Sequence, residues 1–207
     1  MNTSAVQELR TRTRSRHDAL ERTGFAAALL AGSLPVELYV GQLAAYRPVL
    51  AALEDELARS SHPAVRRVWS AELAKVPFID RDLGHFAASG VLPRPGLVAA
   101  EVRAFTGDVR ATARTAPEEL LGFLYVLEGS TMGALFLRGP VSAAYGLTGG
   151  DGVAYYGSGD RARWRAVAAR LDEALPGPEE RERVVQAAER AYAHTAAVSR
   201  ALSPAPV

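Results

Sequence analysis

Apolar residues recur at steps of three and four along almost the whole chain, and alternating apolar–polar runs are nearly absent. A period near 3.6 residues is the mark of amphipathic helices. The pattern predicts helices over about 4–23, 25–30, 35–59, 64–75, 79–88, 96–115, 117–145, 161–175 and 179–202, with Pro48 kinking the third. Residues 146–159, rich in glycine, read as a flexible connection, and the proline-rich tail from Ser203 as a frayed end. No repeat and no long linker divides the chain, so residues 1–207 are expected to form one all-α domain.

The segment from Leu121 to Leu137 is apolar enough for a buried helix, yet it carries Gly122, Gly129 and Gly133. A glycine inside a helix costs roughly 1 kcal/mol relative to alanine. Steps of seven and four place all three on one stripe of the helix. Two readings of that bare stripe stand side by side: a neighbouring helix packed tightly on it, or a bulky ligand lying directly against the backbone.

Composition narrows the chemistry. The 207 residues hold 24 Lys and Arg against 23 Asp and Glu, a net charge of +1. Such a balance argues against a dedicated nucleic-acid binder. There is no cysteine, which removes disulfides, thiolate nucleophiles, cysteine-bound zinc and iron–sulfur clusters. The N-terminus lacks a signal-type apolar core, and the 121–137 run is interrupted by Glu128 and short for a bilayer. A cytoplasmic protein with neither nucleic acid nor membrane as partner is expected. The glycine-rich stretch has no Lys followed by Ser or Thr and follows no strand, so it is neither a P-loop nor a dinucleotide fingerprint.

Candidate chemistry concentrates in the first predicted helix. Val6, Leu9, Thr13, His17 and Leu20 form one face, with His17 at its margin and Arg10 and Arg14 just beyond. Glu21 follows His17 by four residues, on the same side. A metal-bound imidazole commonly donates its second ring proton to a carboxylate; a solvated His–Glu pair on a basic helix fits the same spacing. The other histidines suggest less. His62 precedes Pro63 in a loop, Asp82 and His85 make a single Asp-x-x-His where a di-iron bundle needs two such pairs, and His194 lies on the last helix.

Leu9-Arg10 through His17-Asp-Ala-Leu-Glu21, followed by Tyr125-Val-Leu-Glu-Gly-Ser-Thr-Met-Gly133, resembles the heme oxygenase family in its bacterial, biliverdin-forming branch, across about residues 6–202. The resemblance implies a single-domain, all-α fold with heme held between a proximal N-terminal helix and a glycine-kinked distal helix. It implies that His17 ligates the heme iron, that Glu21 hydrogen-bonds His17, and that Gly129 and Gly133 bring backbone close to the sixth iron site. Arg10 and Arg165 match positions that contact propionates, Tyr125 stands one residue from a propionate-binding tyrosine of animal relatives, and Tyr192 matches an aromatic that packs on heme. Animal members carry an aspartate after the first distal glycine; Ser130 stands there instead, leaving Ser130, Glu128, Gln42 or Tyr46 to order distal water. The implied activity is oxidative cleavage of heme at a meso carbon to biliverdin, CO and ferrous iron, with O2 and electrons from an external donor such as a ferredoxin, flavodoxin or reductase, and with a biliverdin acceptor downstream as a further partner. A non-enzymatic heme carrier or sensor on the same fold is the alternative.

Overall fold

A computed structural model describes residues 4–94 and 96–204. Among these every regular element is helical, with no strand. Helix α1 spans Ala5–Glu21, α2 Gly24–Leu30, α3 Val36–Arg59, α4 Pro63–Val68, α5 Val76–Ala88, α6 Ala99–Thr115, α7 Leu120–Tyr145, α8 Arg161–Ala174 and α9 Pro178–Ala201, with single 3-10 turns at Ala71–Leu73, Pro117–Glu119 and Tyr156–Ser158.

Helix starts follow capping chemistry. The Ser4 hydroxyl accepts from Gln7 N at α1, Thr23 from Ala26 N at α2, and Asp160 from Arg163 N at α8. The predicted 64–75 helix is instead broken. It stops at Trp69, makes one 3-10 turn, and yields to α5, whose first turn carries Pro77. Helix α3 runs unbroken past Pro48.

Helix α9 packs against both α1 and α7, and α3 packs against α5 and α6. The core is filled from all of these, with Leu9, Tyr39, Leu53, Phe105, Leu121, Phe123, Val184 and Ala188 fully buried. Gly122 is where α7 and α9 touch most closely. A Cβ there would sit 2.4 Å from the Val184 carbonyl oxygen and 2.7 Å from Ala188 N, so only glycine permits this approach.

Residues 146–159 are not the flexible connection expected from their glycines. Val153, Tyr155 and Tyr156 are buried. The Asp82 carboxylate accepts from Ala154 N at 2.7 Å and Tyr155 N at 2.8 Å, and the Tyr39 hydroxyl donates to the Gly152 carbonyl at 2.8 Å. The tail is also tied down at its start, where Ser203 Oγ accepts from Phe25 N at 2.9 Å and donates to the Ser199 carbonyl. Residues 205–207 lie outside the described residues.

Candidate functional site

A cleft of about 500 Å³ opens between α1 and α7, closed at its sides by α8 and α9. Helix α1 lends Arg10, Thr13, Arg14, His17 and Asp18; α7 lends Tyr125, Gly129 and Met132; Trp164 and Tyr192 complete the wall. The apolar stripe of α1 sinks Leu9 and Thr13 into the protein and leaves His17 half exposed at the cleft.

His17 Nδ1 lies 3.7 Å from Glu21 Oε1 and 3.9 Å from Asp18 Oδ1. Both carboxylates therefore gather at one ring nitrogen, leaving Nε2 as the atom for a ligand in the cleft. The Tyr192 ring meets the His17 ring edge to face, centroids 6.1 Å apart. Thr13 gives its hydroxyl hydrogen to the Leu9 carbonyl at 2.8 Å, and it lies beside Tyr125 and Tyr192 in the cleft wall. Burial pushes both phenols upward in pKa, Tyr192 the further, which favours their neutral form. Arg10 and Arg14 have no carboxylate partner among the described residues, leaving two cations at the cleft for an anionic ligand.

The glycine stripe does two things. At Gly122 it receives α9, the packing alternative. At Gly129 a Cβ would lie 3.3 Å from Trp164 Cη2, and at Gly133 nothing stands within 4 Å. Along this stripe α7 thus meets α9 at Gly122, the Trp164 indole at Gly129 and open space at Gly133.

Behind Gly129 lies a charge cluster. Glu128 Oε2 meets Lys75 Nζ at 2.7 Å and Glu128 Oε1 accepts from Arg163 Nε at 3.1 Å. Glu128 and Lys75 are each only 2% exposed. Burial lowers the Lys75 pKa, against the raising pull of Glu128. Arg163 also donates to the Ser158 carbonyl. Glu54 accepts from Lys75 N at 2.6 Å and Val76 N at 3.2 Å, capping the start of α5.

The structure brings His17, Arg10, Tyr125, Gly129 and Tyr192 together in one cleft wall. Glu21 stands beside His17 but outside that wall. Gly133 lies one turn beyond, open to solvent. Ser130 is exposed and its hydroxyl donates to the Leu127 carbonyl at 2.8 Å. Arg165 is exposed on α8 and outside the wall. Glu128 faces Lys75 and Arg163. Gln42 and Tyr46 are buried away from the cleft: Tyr156 donates to Gln42 Oε1 at 2.6 Å, and the Tyr46 ring lies 6.4 Å from that of Tyr155, centroid to centroid. Sequence reasoning missed Asp18, Met132, Trp164 and Lys75. A carboxylate such as Glu128 in an apolar run does signal a buried cation somewhere, but not which one.

A family model described as Heme oxygenase matches residues 3–201. Heme oxygenase 1 of Nostoc sp. is 26% identical over 198 residues, covering 93% of this chain and 83% of that protein. Among solved structures, heme oxygenase from Leptospira interrogans superposes with a TM-score of 0.85 at 21% identity, covering 96% of this chain and 99% of that one. Heme oxygenase-2 from Synechocystis sp., solved with heme and NO, gives a TM-score of 0.85 at 21% identity over 97% of this chain and 85% of that one.

Proposed function

The chain belongs to the heme oxygenase family, and from that premise we propose that its α1–α7 cleft seats heme and that the protein cleaves it at a meso carbon to biliverdin, CO and ferrous iron. One observation carries this reading: an imidazole on α1 and bare backbone on α7, more than a hundred residues apart in the chain, line the same cleft.

The residues suit a tetrapyrrole. A flat apolar ring that carries iron and two carboxylates would need a nitrogen donor, apolar walls and cations at one edge. His17 Nε2 is the nitrogen; Tyr125, Met132, Trp164 and Tyr192 are the walls; Arg10 and Arg14 are the cations. Bound heme supplies both the iron that activates O2 and the ring that is degraded.

The protein's part is orientation and proton control. Glu21 and Asp18 lie on the Nδ1 side of His17, at 3.7 and 3.9 Å, so their negative charge favours the tautomer that keeps its proton there and leaves Nε2 for the ring. A neutral imidazole pushes electron density less than a thiolate does, and the chain has no cysteine to offer one. Arg10 and Arg14 pair with propionates through charge-assisted hydrogen bonds, each about 1.5–3 kcal/mol, and so limit rotation of the ring. The α7 wall presents backbone at Gly129 and no carboxylate: Glu128, its nearest acid, points to Lys75 and Arg163. Protons therefore arrive on that side through water and hydroxyls instead of from a neighbouring acid. Electrons come from an external donor of the ferredoxin, flavodoxin or reductase kind, and O2 from solution.

The test is His17→Ala. Purified protein is titrated with hemin and then given ascorbate or a reductase system. The wild type should show a histidine-ligated ferric spectrum and lose it to biliverdin; His17→Ala should lose both, with imidazole restoring the spectrum. An unchanged ferric spectrum in His17→Ala refutes the ligand assignment, and a stable heme band in the reduced wild type refutes the enzyme.

A further inference from the structure

Helix α7 has a front and a back at Gly129. Tyr125, Gly129 and Met132 line the cleft, and helical geometry puts them within about 60° of one another. Glu128, Thr131 and Leu135 are turned from Gly129 by about 100°, 160° and 120°, and none of them lines the cleft. We propose that Glu128 is a positioning residue: held from behind by Lys75 and Arg163, it fixes how far the Gly129 backbone stands from His17, and so the clearance left on the α7 side of a bound tetrapyrrole. The proposal rests on the heme oxygenase reading above.

The back of α7 is braced by charge and by backbone contact. Glu128 Oε2 meets Lys75 Nζ at 2.7 Å, and Glu128 Oε1 accepts from Arg163 Nε at 3.1 Å. Each oxygen of one buried carboxylate is thus taken by a cation from a different segment. Moving α7 would pull that carboxylate off its partners and strand charge in the interior, so the clamp is stiff where an apolar contact would slide. Both cations are themselves fixed. The Lys75 backbone N–H donates to Glu54 of α3 at 2.6 Å. Arg163 N donates to Asp160 Oδ1 at 2.7 Å, and a terminal nitrogen donates to the Ser158 carbonyl. The turn before α8 also bears on the α7 backbone: a Cβ at Gly159 would stand 2.5 Å from the Thr131 carbonyl oxygen and 3.0 Å from Leu135 Cγ. Helix α7 needs such a brace at this point. On either side of Gly129, Ser130 Oγ donates to the Leu127 carbonyl at 2.8 Å and Thr131 Oγ1 to the Glu128 carbonyl at 2.7 Å. Hydroxyl back-bonds of this kind favour bending, and glycine adds no side chain to resist it.

The experiment loads four proteins with hemin: wild type, Lys75→Met/Glu128→Leu, Gly159→Ala and Phe105→Leu. The double variant removes both buried charges at once, so neither is stranded. The readout is the affinity of the ferric complex for a bulky sixth ligand relative to a small one, imidazole over cyanide, from absorbance titrations. Without the clamp α7 yields to the bulky ligand, and the ratio should rise at least about fivefold in the double variant. In Gly159→Ala the added methyl presses α7 from behind, and the ratio should fall. Phe105→Leu creates a core defect on α6, outside the cleft; it should lower stability and keep the wild-type ratio. In the hemin-free protein, amide exchange over residues 125–135 should quicken at least about tenfold in the double variant, while residues 120–123, where Gly122 packs on α9, keep their wild-type rates. A wild-type ratio in the folded double variant overturns the proposal. So does a shift of the same sign in the double variant and Gly159→Ala, or an equal shift in Phe105→Leu. If the wild type takes up no hemin, the functional reading fails instead, and the exchange rates alone decide whether Glu128 holds α7.

Discussion

A leucine at position 133 would separate folding from ligand seating. Gly133 is helical, exposed and has nothing within 4 Å of where a side chain would start. In the ligand-free protein the substitution removes a helix-interior glycine, a gain of up to about 0.8 kcal/mol. Calorimetry should accordingly find the Gly133→Leu apo protein at least as stable as wild type. The same side chain would fill the only open part of the α7 stripe, so hemin affinity, read by absorbance titration, should fall at least about tenfold, or roughly 1.4 kcal/mol. Affinity within twofold of wild type would show that the ring does not lie there. Gly122 is the contrast on the same stripe: the atoms facing it are α9 backbone, so its glycine serves packing and says nothing about a ligand.

At the scale of elements, one charge cluster centred on buried Glu128 joins three of them. Lys75 caps the start of α5, Glu128 belongs to the middle of α7, and Arg163 to the first turn of α8. Removing one partner of a buried pair strands the other charge, typically at about 3–5 kcal/mol, whereas replacing both by apolar groups is often neutral. Arg163 still faces Glu128 in Lys75→Met, so the cost there should fall at the low end, about 3 kcal/mol. Urea unfolding should show that loss for Lys75→Met and recovery of most of it in Lys75→Met/Glu128→Leu. A single variant within about 1 kcal/mol of wild type would mean that the pair does not hold the helices together. Asp82 plays a comparable joining role, fastening the 152–155 backbone onto α5 through its two oxygens; burial raises its pKa while those hydrogen bonds pull it down.

The molecule as a whole carries a group of tyrosines that stiffens its response to alkali. Tyr39, Tyr46, Tyr155 and Tyr156 are buried and cluster ring to ring beside α3 and the 146–159 segment. Burial pushes the Tyr46 hydroxyl up to about 12 and raises Tyr39, Tyr155 and Tyr156 further. Above pH 10 the unfolded chain loses these protons while the folded one keeps them. The unfolded state then binds fewer protons, so stability must fall as pH rises. For Tyr46 alone the loss between pH 9 and pH 11 is on the order of 1 kcal/mol. Unfolding free energies from urea titrations across that range should drop steeply, and Tyr46→Phe should flatten the slope by about one group's share. A flat profile from pH 9 to pH 11 would show that these phenols titrate freely in the native state.

Much of this was readable from the chain alone, because it depends on neighbours in sequence. The all-helical class, most helix positions, the His17–Glu21 pair and the two motifs that place the chain in its family all follow from local period and spacing. Other features depend on contacts between segments far apart, which no periodicity encodes. The break after Val68, the pinning of 146–159 by Asp82, and the partner of Glu128 are of this kind. So is the division of one glycine stripe between α9, an indole and open space. Helical geometry dictated that Gly122, Gly129 and Gly133 share a face; only the folded arrangement of α8 and α9 determined what that face meets, because side-chain volume and buried charge are matched across elements and not along them.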